Sequence, residues 1–308
     1  MVTRTANLKG LDDRFLAQEV KGRSPWADAR KRFMRNKAAV AGLVILLLIA
    51  ALALFGDALA VWSNEELDFT VMGQIEQLGG PSLQNGHYFG TDDLSRDLFS
   101  RTLQGTRISL MVGIVGSVIA VVVGTLYGAI SGYVGGRTDQ IMMRIVDILL
   151  AIPFMFVIIL LLVMFGRSIF LLFLGIGLLS WLNMARIVRG QTLSLKHKEF
   201  IEAAQATGVP TFTIILRHVV PNLLGIVAVY ATLLVPEMIL TESFISFLGL
   251  GVQEPLTSLG ALIAEGARTI YYGTLWQLCF PLLFFVLTLF SFFFIGDGLR
   301  DALDPKDR

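Results

Sequence analysis

An unbroken apolar run, Ala38-Ala-Val-Ala-Gly-Leu-Val-Ile-Leu-Leu-Leu-Ile-Ala-Ala-Leu-Ala-Leu-Phe55, stands near the start of the chain. Its 18 residues approach the roughly 20 that a helix needs to cross the hydrocarbon core of a bilayer. Ala58-Leu59-Ala60 is similar to a signal cleavage site, but the run exceeds the about 7–15 residues of a signal-peptide core. A further 37 residues precede the run. It therefore predicts an uncleaved signal anchor whose N-terminal side stays in the cytoplasm.

The composition of the whole chain is that of a membrane protein. Of its 308 residues, 55% are hydrophobic and 16% are charged, and the mean hydropathy is +0.70. These charges are too few for the surface of a soluble protein. Six segments reach spanning length, and each is expected to be a helix because lipid offers the backbone no hydrogen-bond partners. They are residues 38–62, 108–134, 145–165, 168–186, 222–247 and 275–296. The predicted fold class is all-α, a polytopic membrane protein with six transmembrane helices.

Basic residues are distributed unevenly between the two sides of this bundle. Alternating sides from a cytoplasmic N-terminus places 20 of the 25 Lys and Arg residues inside, which agrees with the positive-inside rule. Both termini and the loop 187–221 are therefore predicted to face the cytoplasm. The net charge is +1, and the bases lie near the membrane rather than in one patch, which argues against nucleic acid as a partner.

The predicted spans divide the chain into five parts. These are a cytoplasmic N-terminal segment (1–37), the first span (38–62), a periplasmic loop (63–107), a five-helix core (108–298) and a cytoplasmic tail (299–308). In the first part, Ser24-Pro25-Trp26 predicts an N-cap followed by a helix that continues to Lys37. Its basic and aromatic residues are typical of a helix that lies on membrane lipid. A solvated segment that only orients the first span is the alternative.

The loop 63–107 is acidic. Its seven acidic residues are Glu65, Glu66, Asp68, Glu76, Asp92, Asp93 and Asp97. Such a loop suits the docking of a soluble partner, although a merely solvated loop has the same composition. Its one histidine, His87, lacks the repeated spacing of metal ligands, so no metal site is predicted.

Three features mark the second and third spans. A small residue recurs at every fourth position from Gly116 to Gly136, which predicts either a sliding contact or ordinary close packing against a neighbouring span. Arg144 and Asp147 are three apart, so they are expected to pair on one helix face. Pro153 is expected to kink the third span.

The fifth predicted span contains two acids, Glu237 near its middle and Glu242 nearer the outside. A central acid costs about 2.5–3.5 kcal/mol on insertion-based scales unless it meets water or a partner. Both are candidates for a translocation path that attracts the amino terminus of a peptide. Hydrogen bonding within the bundle is the alternative.

The cytoplasmic loop begins Lys196-His-Lys-Glu-Phe-Ile-Glu-Ala-Ala-Gln-Ala-Thr-Gly208. Residues 196–207 are helix formers, and Gly208 stands where a left-handed C-terminal cap is favoured. Pro210 suits the first turn of a second short helix. The loop therefore predicts a stiff projection from the membrane.

This projection has the residue types of a docking element. Ala203 and Ala204 are small enough for close approach, Phe200 offers an apolar anchor, and Glu202 can meet a basic residue of a partner. A polar loop without a partner is the alternative that composition alone would favour.

Glu202-Ala203-Ala204, Gly208 and Pro221 together resemble the EAA loop of binding-protein-dependent ABC importers. The match departs at His218 and Val220, where that loop commonly has Ile and Leu. Other stretches resemble the C-type membrane subunits of the dipeptide/oligopeptide permease branch. They are residues 22–30, 87–97, 185–194, 244–251 and 296–308.

The resemblance implies a type I ABC importer permease fold in the bacterial inner membrane. It implies four kinds of partner: a homologous second permease, two ATPase subunits, a periplasmic peptide-binding protein and membrane lipid. The implied ATPase-coupling residues are Phe200, Glu202, Ala203, Ala204, Gly208 and Pro221. The implied cargo is oligopeptides moved from the periplasm to the cytoplasm, with dipeptides, glutathione or nickel as alternatives because the motifs concern coupling and topology.

Several activities are not expected of the chain itself. It has no Gly-x-x-x-x-Gly-Lys-Ser/Thr loop for phosphates, so ATP and Mg²⁺ are expected on partner subunits. No nucleophile, base and orienting residue occur together, so neither enzyme activity nor a cofactor is predicted. Cys279 is expected to be a small apolar filler. The alternative from another class is an ion-coupled secondary transporter with Glu237 or Glu242 as a proton site, which predicts inverted repeats that are not evident.

Overall fold

The computed structural model describes residues 25–303, and those residues are helical over most of their length. The helices in chain order are α1 (Pro25–Arg35), α2 (Lys37–Phe55), α3 (Ile75–Leu78), α4 (Leu98–Val134), α5 (Gly136–Ala151), α6 (Phe154–Phe165), α7 (Ile169–Leu195), α8 (Glu199–Ala206), α9 (Thr211–Ile214), α10 (Val220–Phe247), α11 (Leu259–Thr269) and α12 (Trp276–Leu303). A π-helical turn, Ile215–Val219, joins α9 to α10.

Among the described residues, five helical segments are long and apolar enough to cross a membrane. They are α2, α4, α7, α12 and the continuous stretch Thr211–Phe247 that includes α10. The pair α5 and α6 makes a sixth crossing if it counts as one span, and it is bent by 75° at its break. The predicted all-α polytopic fold is confirmed, and the predicted kink is this break, where Pro153 cannot continue the hydrogen-bond ladder.

Several helices extend past the predicted spans. α4 begins at Leu98 rather than 108, because the Asp97 side chain caps it by accepting a bond of 2.8 Å from the Ser100 backbone N–H. α12 continues to Leu303, beyond the predicted end at 296. α2 instead ends at Phe55, well before 62. Hydropathy detects only the apolar part of a helix, so it does not predict the polar turns by which α4 and α12 extend beyond it.

α4 lies at the centre of the bundle. Gly124, Gly128 and Gly132 of its small-residue strip face α7, and Gly116 faces Met238 of α10. A Cβ atom at Gly128 would lie 2.4 Å from the carbonyl oxygen of Ala185, and one at Gly124 would lie 2.6 Å from the Met184 Cβ. Such distances leave no room for a side chain. The small-residue strip thus serves close packing within this chain, as the packing alternative predicted.

The predicted pair between Arg144 and Asp147 is wrong. Asp147 instead accepts a hydrogen bond of 2.5 Å from the Arg186 guanidinium on α7. The sharp break after α5 brings that helix alongside α7, so a partner distant in sequence reaches the carboxylate.

The predicted N-terminal helix is present as α1, with Pro25 as its first residue. The proposed cap, Ser24, lies outside the described residues, as do 1–23 and 304–308. α1 packs against the end of α12, where a Cβ at Gly298 would lie 3.3 Å from the Phe33 ring. Asn36 separates α1 from α2 and caps α2 by accepting from the Ala38 and Ala39 N–H groups. Contact of α1 with lipid stays a prediction.

Candidate functional site

The predicted projection is α8, a helix of eight residues that ends as its sequence predicts. Gly208 has a φ of +76°, and the Val209 N–H reaches back to the Ala204 carbonyl at 3.1 Å. Apart from Gly208 itself and its two chain neighbours, no described residue would have a heavy atom within 4 Å of a Cβ at this position. Glycine is therefore required by the backbone conformation rather than by crowding.

One face of α8 is anchored in the core of the same chain. Ile201 is fully buried and Ala204 is 8% exposed. They belong to a cluster of buried residues that includes Tyr133 of α4, Val188 of α7 and Ile214 of α9. The Gln205 amide also donates a hydrogen bond of 2.9 Å to the Tyr133 hydroxyl. Movement of α8 is thereby tied to α4 and α7.

The opposite face of α8 is open. Glu202 and Ala203 are exposed, and the Phe200 side chain is 43% exposed although it is large and apolar. Phe212, which follows on α9, is 65% exposed. An open apolar surface with an acid beside it is suited to binding another protein.

The structure therefore divides the six predicted coupling residues. Phe200, Glu202, Ala203 and Gly208 lie on or beside the open face. Ala204 does not, because it packs inward. Pro221 is exposed at the start of α10, beyond the π-helical turn.

Two residues of this region were missed by the sequence reasoning. Ile201 is the inward anchor, and its spacing of three from Ala204 was the available signal. Tyr133 gave no signal, because only the fold brings the end of α4 against α8.

The ends of α4, α5 and α7 on this side are joined by an ion pair. Arg189 binds Asp139 through two hydrogen bonds of 2.6 and 2.5 Å. The Ser131 hydroxyl donates a third bond, of 2.6 Å, to the same carboxylate. A bidentate guanidinium contact fixes orientation, so the three helices beside α8 are held together as one unit.

The two acids of α10 have different surroundings. Glu242 is fully buried and accepts hydrogen bonds from Ser246 at 2.6 Å and from Ser109 of α4 at 3.2 Å. Ser109 in turn accepts from the Leu259 N–H at the start of α11. Glu242 therefore does not line an open path, which corrects that prediction and agrees with the hydrogen-bonding alternative. Glu237 is exposed on the bundle surface.

A buried histidine organises the segment before α4. His87 lies between Asp97, at 2.9 Å, and Asp68, at 3.3 Å, and it stacks on the Trp62 ring with centroids 4.8 Å apart. Burial alone would lower the pKa of His87, but the hydrogen bonds to the two carboxylates raise it above the ordinary value. Burial would raise the pKa of Asp68, yet hydrogen bonds from Thr70 and His87 hold it below its usual value.

A second ion cluster connects this segment to α11. Arg101 is fully buried and contacts Asp92 at 3.1 Å, Glu254 at 3.2 Å and Glu265 at 3.4 Å. Arg96 contacts the same Asp92, at 2.7 Å. We name this set, Asp92, Arg96, Arg101, Glu254 and Glu265, the outer ion cluster, because the charge distribution predicts a periplasmic location for this end of the bundle.

The acidic loop is therefore less exposed than its composition suggested. Asp68, Asp92 and Asp97 are buried and paired. The remaining acids, Glu65, Glu66, Glu76 and Asp93, are exposed. Within residues 25–303, no group of three or more His, Cys, Asp or Glu side chains is arranged to hold a metal ion.

These features define a class of protein: a multi-pass membrane protein with a short helix held between two spans and open on its far side. Residues 120–308 match the family described as the binding-protein-dependent transport system inner membrane component. Residues 24–75 match the N-terminal TM domain of oligopeptide transport permease C. The chain belongs to this family of importer permeases and is the membrane subunit of an ABC importer, so the predicted resemblance is confirmed.

Curated relatives span nearly the whole chain. The oligopeptide transport system permease protein OppC of Haemophilus influenzae is 54% identical over 99% of this chain and 98% of its own length. The protein of that name from Escherichia coli K12 is 56% identical over 94% of each chain. The dipeptide transport system permease protein DppC of Bacillus subtilis is 44% identical over 91% of this chain and 86% of its own length.

Proposed function

We propose that this permease imports oligopeptides from the periplasm to the cytoplasm across the bacterial inner membrane. The support for the cargo is the 54–56% identity to permeases named for oligopeptide transport. Relatives named for dipeptide and glutathione transport are 44% and 37% identical. Those two cargoes, together with nickel, remain the alternatives for the same kind of machine.

The proposed assembly contains this chain, a second homologous permease, two ATPase subunits and a periplasmic peptide-binding protein. ATP and Mg²⁺ would bind to the ATPases, because the sequence lacks a phosphate-binding loop. The excess of basic residues in the segments on the α8 side supports a cytoplasmic location for α8 and for both termini.

The observation that carries the proposal is the two-sided character of α8. Its buried face, Ile201 and Ala204, is packed against the spans, whereas Phe200 and Ala203 are open to a partner. A partner that pushes on the open face therefore moves the buried face, and through Tyr133 it moves α4. ATPase closure would reach the spans by this route. An ion-coupled transporter has no need of such a helix.

The test is purification of the tagged complex from membranes, followed by peptide uptake in proteoliposomes. Ala203→Arg places a long charged side chain on the open face without disturbing the buried one. We expect recovery of the ATPase subunits, and peptide uptake, to fall at least about tenfold, since an interface hot spot contributes about 2 kcal/mol. Membrane insertion should be unchanged.

The matched control is Ala27→Arg, which introduces the same side chain at an exposed position of α1. It should retain both the ATPases and uptake. Equal recovery and uptake for the two variants would overturn α8 as the coupling element. Recovery of the chain alone, with proton-driven uptake, would favour the secondary transporter.

A further inference from the structure

Glu237 lies on the one face of α10 that no other described helix covers. Three further residues on this face are exposed, in the direction of the helix end at Phe247: they are Leu240, Phe244 and Leu248. Their spacing of three or four marks one side of a helix. The opposite side of α10 packs on α4, where Val235 and Ile239 would meet a Cβ at Gly113. The open face is therefore a stripe that runs lengthwise through a predicted membrane span.

The position of Glu237 within the span is central. It lies about 15 Å from the end of the helix at Phe247, at 1.5 Å per residue. The stretch that contains it has only this acid and Glu242 between residues 220 and 247. A charge at this depth is retained where it faces water or a polar group rather than lipid tails.

Glu237 differs from Glu242 in having nothing to bind. Among the described residues its carboxylate has no ion-pair or hydrogen-bond partner, and only its backbone carbonyl is engaged, by the Thr241 hydroxyl. Glu242, by contrast, is enclosed by hydroxyl groups of Ser246, Ser109 and Ser243. The structure satisfies one acid internally and leaves the other available to a ligand.

We propose that Glu237 is a specificity-determining residue that binds the α-ammonium group of the peptide during its passage. This inference rests on the proposed oligopeptide cargo. Peptides of different sequence share few charged groups. The only positively charged group that all of them carry is the α-ammonium group at the amino terminus. A carboxylate in a low-dielectric passage attracts such a group strongly. The apolar neighbours Leu240 and Phe244 offer contact to varied side chains without selecting among them.

The test uses the complete reconstituted importer and one peptide in two forms, with a free and with an acetylated amino terminus. Each form is supplied at a concentration that saturates the binding protein, established by a separate binding titration. Glu237→Gln keeps the shape of the side chain and removes its charge. We expect it to slow uptake of the free-amine peptide about tenfold, the loss of one charge-assisted hydrogen bond, and to leave the acetylated peptide unaffected.

Two further variants make the result specific. Glu237→Asp retains the charge and should recover much of the free-amine rate. Leu240→Gln places an amide on the same open face and should affect both peptides alike. Equal slowing of both peptides by Glu237→Gln, or no slowing of either, would overturn the inference while leaving peptide import intact. Absence of uptake of either peptide by the unaltered importer would instead overturn the proposed cargo, and this inference with it.

Discussion

The two ends of α4 are held in different ways. At its Leu98 end, the buried Arg101 side chain is surrounded by carboxylates from three separate segments of the chain. At its Val134 end, Ser131 and the Asp139–Arg189 pair tie α4 to α5 and α7, whereas Tyr133 and Ala129 meet Ile201 of α8 mainly through apolar contact. The same helix thus joins the outer ion cluster at one end to an apolar contact with α8 at the other.

The difference indicates which end is able to move. Arg101 and Asp92 are buried, so a displacement that separates them leaves a buried charge uncompensated. Apolar contact is non-directional and depends mainly on buried area, so a small shift of α8 costs less. We infer that the outer ion cluster fixes the outer end of the bundle while α8 transmits motion at the inner end.

The largest effect on stability is expected from breaking the outer ion cluster. Arg101→Met removes the only guanidinium that contacts Glu265 among the described residues and leaves Asp92 with Arg96 alone. Removing one partner of a buried ion pair costs up to about 3–5 kcal/mol, and the part of that cost borne by Glu254 and Glu265 is reduced because their side chains are 54% and 41% exposed. The midpoint of thermal unfolding of the purified chain in detergent should fall accordingly. Arg268→Met, at an exposed arginine of α11, is the matched control. Equal unfolding midpoints for the two variants would contradict a stabilising role for the outer ion cluster.

A somewhat smaller effect on stability is expected from weakening the apolar contact between α8 and α4. Ile201→Ala removes a fully buried side chain, which costs about 2–5 kcal/mol depending on how far the site relaxes. Because the cavity lies beside α8, the loss should appear first as faster hydrogen exchange of the α8 amides. The unfolding midpoint should fall less than in Arg101→Met.

Phe200→Ala sharpens this second test. It removes a larger side chain from the same helix, but one that is partly exposed. It should therefore weaken recovery of the ATPases while changing exchange of the α8 amides little. Faster exchange in Phe200→Ala than in Ile201→Ala would mean that the two faces of α8 have been assigned the wrong way round.

Local signals in the sequence predicted much of the inner end. The length of the apolar runs predicted the spans, Pro153 predicted the break between α5 and α6, and Gly208 predicted the end of α8. Each of these features depends on a few consecutive residues. That is why they could be predicted without knowledge of the fold.

The outer end could not be predicted in this way. Arg101 meets Glu254 and Glu265, and Glu242 meets Ser109, across long separations in the chain. Composition shows only that the loop is acidic, and a buried aspartate cannot be distinguished from a solvated one until its partner is placed. The inward turn of Ala204 was missed for a related reason, since the neighbour that buries α8 lies on α4.

The smallest effect expected is a change in how stability depends on pH, and it too separates the two ends. Since the pKa of His87 is raised in the folded chain, its contribution is complete below the ordinary histidine value of about 6.5. That contribution is lost as the pH rises through the raised pKa. The pKa of Asp68 is lowered, so its contribution is lost as the pH falls through that value.

The outer segment should therefore be most stable between the ordinary pKa values of aspartate and histidine, about 3.9 and 6.5, which unfolding midpoints measured across pH would show. His87→Gln can no longer bind the proton, so it should lose the alkaline part of the decline. His197→Gln, at an exposed position beside α8, should retain it. If the alkaline decline persisted in His87→Gln, a group outside the Asp68, His87 and Asp97 set would be responsible for it.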